Sequence, residues 1–272
     1  MSIVDSPYFD GLQFRLSESQ RHLQVRAETR MRDLGASRDI IEHMHTMRLY
    51  FRVPYMLTSW CHDHSRQEII ETLADHLFSM KLLDDAADGD SDICALELLG
   101  HSLSFQAFAY KRIEELGNAG VCAMMSECID RISSMQICAK LRPAKDISQW
   151  LEYARLYGGE FLKMYGTIAW RLGGVDENAD YVEKFAFNFG MMITMSDDWR
   201  DYDRHGEREG NLRHLVYGSK ISLSEIMEAA DDIIAECSQA VSSLPFETGM
   251  HTLVDVYSKD LRRSLSSSIL DA

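Results

Sequence analysis

The chain has 272 residues, 46% of them hydrophobic and 26% charged, which is enough apolar material for a full core and excludes intrinsic disorder. It carries 28 Lys and Arg against 43 Asp and Glu, a net charge of -15, and so lacks the basic surplus on which sequence-independent nucleic-acid binding rests. Its 4 prolines are too few to punctuate a β-sandwich or barrel of this length.

The predicted elements are helical in chain order. Ser17-x-x-Gln20 predicts a capping box opening a helix that Gly35 closes. Ser37 caps a helix expected to run through Tyr50, with Pro54 bending or ending it. Ser65-x-x-Glu68 opens the next, which should stop near Gly89. Two more are expected over about 92–117 and 121–141. Asp146-x-x-Gln149 opens a helix leading toward Gly158, Gly159 and the glycine pair at 173–174, followed by one over about 178–202. Ser222-x-x-Glu225 opens another, and the last covers about 250–265. Segments 203–220 and 243–249 are the least regular. With no strictly alternating stretch, flexible linker or short repeat, the expectation is one all-α domain over 1–272.

The 6 cysteines form no CxxC pair and read as free thiols in a reducing compartment. No basic-then-apolar leader opens the chain, and the longest weakly charged apolar stretch, 185–196, is about half a membrane span. A cytoplasmic protein with room for a peripheral membrane contact is expected. His43/His45 and His62/His64 are spaced two apart, off a common helix face, which argues against zinc. No GxSxG, phosphate-binding loop or GxGxxG occurs.

The chemical signal is acidic. LLDDAADGD contains Asp84, Asp85, Asp88 and Asp90; MSDDWRDYD contains Asp197, Asp198, Asp201 and Asp203. Each holds DDxxD, whose first and last carboxylates share a helix face and repel unless a cation binds them. Leu73, Leu77 and Met80 precede the first cluster on its face, and Phe187, Met191 and Thr194 precede the second. Each cluster therefore caps an apolar stripe. Hard carboxylate ligands suit Mg²⁺ shared with substrate phosphates. An apolar cavity with Mg²⁺ at its mouth suits a diphosphate head on a hydrocarbon tail. The alternative is two solvated acidic faces. Basic residues gather nearby: Arg48 and Arg52, Lys81, then Arg200, Arg204, Arg208 and Arg213. Arginine forks fit phosphate oxygens, though surface ion pairs would equally account for any one of them.

Two DDxxD motifs with RLGG at 171–174 between them resemble the trans-prenyltransferase (isoprenyl diphosphate synthase) family over about 37–220. The segments 47–55, 79–85 and 193–215 are similar to family members that assemble the moenomycin-type phosphoglycolipid antibiotics. The resemblance implies a helical bundle around an apolar central cavity, and a homodimer. It implies Mg²⁺ held by Asp84, Asp85, Asp88, Asp197, Asp198 and Asp201. Substrate phosphates would meet Arg48, Arg52, Lys81, Arg204, Arg208, Asn211 and Arg213. The pocket would be lined by Leu77, Ser79, Met80, Phe161, Tyr165, Phe187, Met191 and Thr194, with Phe78, Ser79 and Met80 as a floor for a short donor.

Departures from the family pattern bear on the acceptor. The isopentenyl-binding GGKRxRP is replaced by RLYFRVP, the Lys-Thr pair upstream of RLG falls near Phe161 and Leu162, and GEREGN stands where GK is usual. The implied partners are therefore geranyl diphosphate as donor and a (Z)-farnesyl-3-phosphoglycerate as acceptor, joined and rearranged to a branched C25 chain. A class I terpene cyclase is the second reading, disfavoured because a second DDxxD stands where an Asn/Ser/Glu motif is usual. A chain-elongating synthase and a non-catalytic partner subunit are the others, and such subunits typically lack one DDxxD.

Overall fold

The structure is a computed structural model that describes residues 7–58, 61, 63–89, 91–117, 119–173, 179–205, 209–244 and 250–267. Among these there is no strand. The helices are α1 (Pro7–Asp33), α2 (Arg38–Thr46), α3 (Arg48–Leu57), α4 (Asp63–Asp88), α5 (Ala95–Glu115), α6 (Ala119–Leu141), α7 (Ile147–Ala154), a π-helical segment (Arg155–Glu160), α8 (Phe161–Leu172), α9 (Ala179–His205), α10 (Leu212–Tyr217), α11 (Leu223–Ser242) and α12 (Met250–Ser267). None of the described helices is long and apolar enough to cross a membrane.

Contacts divide the chain into two compact units, Met1–Cys122 with Ile168–Val175, and Ala123–Thr167 with Asp176–Ala272. In the first, α1 offers Leu23, Ala27 and Met31 at helical spacing, α4 offers Ile70, Ala74, Phe78 and Leu82, and α2 offers Ile40, Ile41 and Met44. Phe78 is wedged between Phe51 of α3 (5.3 Å) and Phe105 of α5 (5.0 Å). Burying each such ring contributes about 1.5–3 kcal/mol. A forked ion pair from Arg26 to buried Asp75 (2.7 and 2.9 Å) ties α1 to α4. In the second unit, α9 presents Val182, Phe185, Ala186, Phe189 and Met192, all buried. It packs on α11 and α12, where Phe189 stacks on Phe185 (5.5 Å) and meets Tyr257 edge-on (5.1 Å).

Several boundaries differ from the sequence expectation. α1 begins at Pro7, so Ser17 lies inside the helix and opens nothing. Its end is as expected: Gly35 takes φ +80°, and Ala36 N–H reaches back to Met31 C=O at 3.0 Å. Ser37 caps α2 through Ile40 N–H, but the helix stops at Thr46 and α3 restarts after Met47. Pro54 then sits inside α3 rather than ending it, because burial of Phe51, Val53, Met56 and Leu57 outweighs one lost backbone bond. Ser222 and Glu225 form the full reciprocal box of α11, and Asp146 caps α7 through Gln149 N–H (2.8 Å). α10 falls inside the segment read as irregular, since its six residues are too short to show a period.

Candidate active site

In the first unit, the stripe on α4 opens toward solvent along its length. Leu73 and Leu77 are buried, Met80 is half-buried, and Asp84 is 35% exposed. Asp85 is turned inward and buried. The Lys81 ammonium, one turn earlier, lies 2.9 Å from Asp84 Oδ2 and 2.7 Å from Asp85 Oδ1. His43 of α2 lies 2.8 Å from Asp85 Oδ2. Burial alone would raise the pKa of Asp85, but the His43 hydrogen bond and the Lys81 charge outweigh it and hold the carboxyl below its ordinary value. Burial likewise opposes the charge on Lys81, and Tyr50, Asp84 and Asp85 more than restore it. The side chain of Asp88 and all of Asp90 lie outside the described residues.

Ser79 is fully buried, its hydroxyl bonded to His76 C=O and its carbonyl accepting from Ser102 Oγ of α5 (2.8 Å). Gln106 Nε2 of α5 lies 4.0 Å from Met80 Sδ. Of the expected phosphate-binding arginines, Arg48 is exposed, while Arg52 donates to Gln20 Oε1 of α1 at 2.7 Å.

In the second unit, α9 packs closely on the π segment because glycines face each other. A Cβ on Gly190 would fall 2.2 Å from Gly158 O, and one on Gly158 would fall 2.1 Å from Thr194 Oγ1. Phe187 lies against Gly159 in the same way, Met191 is buried, and Thr194 is half-buried. Phe161 packs edge-on against buried Tyr165 (5.0 Å). Lys163, near the family's lysine register, is drawn to Glu160 (3.9 Å) and Glu183 (3.6 Å).

The carboxylate of Asp198 is anchored. Its Oδ2 accepts from Trp150 Nε1 of α7 (2.9 Å) and from the backbone N–H of Leu212 (2.8 Å). Asn211, the cap of α10, donates through Nδ2 to the Asp198 carbonyl. Here burial wins: it pushes the Asp198 pKa up to about 6, the Leu212 and Trp150 hydrogen bonds offsetting only part and the Asp201 charge adding to the rise. Asp197 is exposed and Asp201 half-exposed. Arg213 is buried, its guanidinium over the rings of Tyr202 (4.9 Å), Trp199 (5.7 Å) and Tyr217 (5.7 Å). The guanidinium also donates to the Tyr217 hydroxyl at 3.1 Å. The side chains of Asp203 and Arg204 and all of Arg208 lie outside the described residues.

Among the described residues, no three His, Cys, Asp or Glu side chains are already gathered as a metal cage. Mg²⁺ does not require one, since it takes one or two carboxylates and fills its octahedron with waters and phosphate oxygens. The donor set fits: every candidate ligand is a hard oxygen, on a helix rigid enough to hold its spacing. The two residues that sequence reasoning missed are His43 and Trp150. Neither carries a spacing signal toward Asp85 or Asp198, because each meets its partner only through tertiary packing.

No protein-family model matches the chain, and no curated protein does. Solved structures do. A decaprenyl diphosphate synthase from Rhodobacter capsulatus superposes with TM-score 0.70 at 14% identity, over 94% of this chain and 99% of the other. A heptaprenyl diphosphate synthase from Staphylococcus aureus gives 0.69 at 12% identity, over 92% and 98%. A polyprenyl synthase from Caulobacter crescentus, complexed with calcium and isoprenyl diphosphate, gives 0.68 at 14% identity, over 93% and 98%. The chain thus has the all-α isoprenyl diphosphate synthase fold.

Proposed function

We propose that the chain is a Mg²⁺-dependent prenyltransferase, with 1–272 forming one catalytic domain. It takes geranyl diphosphate and couples the C10 unit to a (Z)-farnesyl-3-phosphoglycerate acceptor, with rearrangement to a branched C25 chain, in phosphoglycolipid antibiotic assembly. The supporting observation is a conjunction: an isoprenyl diphosphate synthase fold in which α4 ends in DDxxD and α9 carries DDxxD near its C-terminal end.

In this reading Asp84, Asp85 and Asp88 on α4, and Asp197, Asp198 and Asp201 on α9, hold Mg²⁺ against the donor diphosphate. When bound, Mg²⁺ stabilises the charge that develops on the departing diphosphate. Lys81 pairs with Asp84 and Asp85, helps hold Asp85 ionised, and adds a cation for phosphate oxygen. Arg48, Arg52, Arg204, Arg208, Asn211 and Arg213 are assigned to substrate anions. Leu77, Ser79, Met80, Phe161, Tyr165, Phe187, Met191 and Thr194 are assigned to the wall around the prenyl chain, which keeps water from the allylic cation. RLYFRVP in place of GGKRxRP supports an acceptor other than isopentenyl diphosphate. A cytoplasmic enzyme that touches the bilayer surface suits an acceptor bearing a farnesyl chain.

The reading includes a homodimer through α5. Leu96, Leu99 and Leu103 are exposed (77%, 37% and 63%) along a face without charge from Ala95 to Ala107. Antiparallel pairing about the 101–102 midpoint would set Leu96 against Ala107, Leu103 against Gly100, and Asp92 near Lys111. A Cβ on Gly100 meets nothing within 4 Å, so space is open there for a leucine. Leu99→Glu should leave a monomer by sedimentation.

The test of function is a product assay by mass spectrometry. Protein with geranyl diphosphate and Mg²⁺ receives no acceptor, isopentenyl diphosphate, or farnesyl-phosphoglycerate. A C25 adduct in the third condition alone, abolished by EDTA and by Asp85→Ala, is expected. Farnesyl diphosphate in the second would make this an elongating synthase, the activity named for its structural neighbours. A hydrocarbon in the first would make it a cyclase.

A further inference from the structure

The function assigned above gives Trp150 no role, yet this indole is 2% exposed and spends its only polar atom on a carboxylate of the α9 cluster. A buried Trp needs a partner for its N–H, and a backbone carbonyl would serve. Here the partner is Asp198 Oδ2, and the same oxygen takes Leu212 N–H. Two donors from α7 and α10 converge on one oxygen and fix the carboxylate plane, and the oxygen they leave is Oδ1. A third contact, from Asn211 to the Asp198 carbonyl, fixes the backbone of the same residue. Three polar contacts on one residue of a five-residue motif exceed what helix stability needs, since Asp198 already lies within α9, seven residues before its end.

We propose that Trp150 is a positioning residue for metal binding: its indole N–H holds Asp198 so that Oδ1 and the carboxylates of Asp197 and Asp201 form the cation-binding edge of α9. This rests on the reading of DDxxD as a metal site. Metal ligands that are carboxylates are themselves commonly oriented by an outer hydrogen bond, and losing that bond weakens metal affinity about 10–100-fold. Trp150 is five residues before the start of the π segment and 48 residues from Asp198, so the link is tertiary.

The experiment titrates Mn²⁺ alone into the full-length protein and reads free Mn²⁺ by electron paramagnetic resonance. An Asp84→Ala background silences the α4 cluster. Trp150→Phe keeps a ring and removes the N–H, and it should weaken binding at least tenfold. In an Asp198→Asn background the same change should add less than threefold, because the carboxylate it positions is gone. Equal weakening in both backgrounds would mean a packing role only and overturns the proposal. So does Mn²⁺ binding by Trp150→Phe within threefold of its parent. Should Trp150→Phe fail to give a cooperative thermal transition, benzothienylalanine at 150 keeps the bicyclic shape without the N–H and takes its place. If the parent itself binds no Mn²⁺, the metal-site reading fails and this proposal fails with it. Normal binding by both parent and variant sinks the role of Trp150 alone.

Discussion

The ends of α4 and α9 carry the same five-residue motif and treat its second aspartate in opposite ways. Asp85 is buried beside the Lys81 ammonium and the His43 ring, which hold its pKa below the ordinary carboxylate value. Asp198 is held by neutral donors, an indole and a backbone amide, and its pKa rises to about 6. Opposite charge restores what burial removes, whereas neutral hydrogen bonds restore only part of it. The α4 aspartate is therefore a buried anion with its own counter-cation, whereas the α9 aspartate has neutral donors alone against the cost of burial.

The strongest way to break that comparison is to remove a carboxylate from each side. Asp84→Ala and Asp197→Ala should each lower kcat/KM by roughly 10²–10³-fold, the range for losing one preorganised electrostatic group, measured in the product assay. A variant that keeps full turnover would remove its cluster from the reaction.

Lys81→Met sharpens the contrast through stability. It leaves Asp85 buried with His43 as its remaining partner. Removing one member of a buried pair costs about 3–5 kcal/mol, and the 22% exposure of Lys81 brings the expectation to about 2–3 kcal/mol. Urea denaturation would read it. Trp150→Phe should cost less, about 1–2 kcal/mol, because a neutral donor is lost.

A third prediction concerns α4 alone. His76 is fully buried, and burial drives its pKa down to about 3 from an ordinary 6.5. The unfolded chain binds the proton more readily, so stability falls as pH drops below 6.5 and continues to fall toward 3. Between pH 7 and pH 5 the loss should be about 2 kcal/mol. His76→Gln should flatten that slope.

The smallest expected effect is on specificity. Met80→Ala, at the half-buried end of the α4 stripe, should admit a longer donor with little change in turnover. Unchanged donor preference would remove Met80 from the pocket floor. Phe78 is a poor choice for that test, since it is locked between Phe51 and Phe105 and its loss would cost about 3–5 kcal/mol.

What the sequence made legible was whatever depends on neighbours along the chain. Gly35, Ser37, Asp146 and Ser222 do what their local chemistry requires, and the acidic motifs lie at helix ends because apolar periodicity stops there. Ser17 misled because a capping pattern inside a longer amphipathic helix has the same letters as one at its start. Pro54 misled because burial of its neighbours overrode a local breaker. The donors on Asp85 and Asp198 were illegible for a different reason: His43 and Trp150 are 42 and 48 residues from their partners, and nothing in their spacing marks the pairing.

The π segment has an effect on how this chain can change by insertion or deletion. Six residues, Arg155–Glu160, wind more loosely than an α-helix, so the segment holds one residue more than a regular helix needs over the same rise. It works as a phase keeper between α7 and α8, because the loose turn absorbs the extra residue and leaves Phe161 and Tyr165 facing nearly as they would in a regular helix one residue shorter. Deleting a single codon there should restore regular winding with the facing of α8 nearly unchanged, whereas the same deletion inside α8, ahead of Tyr165, would turn Tyr165 by about 100°. The chain can thus lose a residue at this place and not one turn later, with the close approach of Gly158 and Gly190 setting which residues must stay.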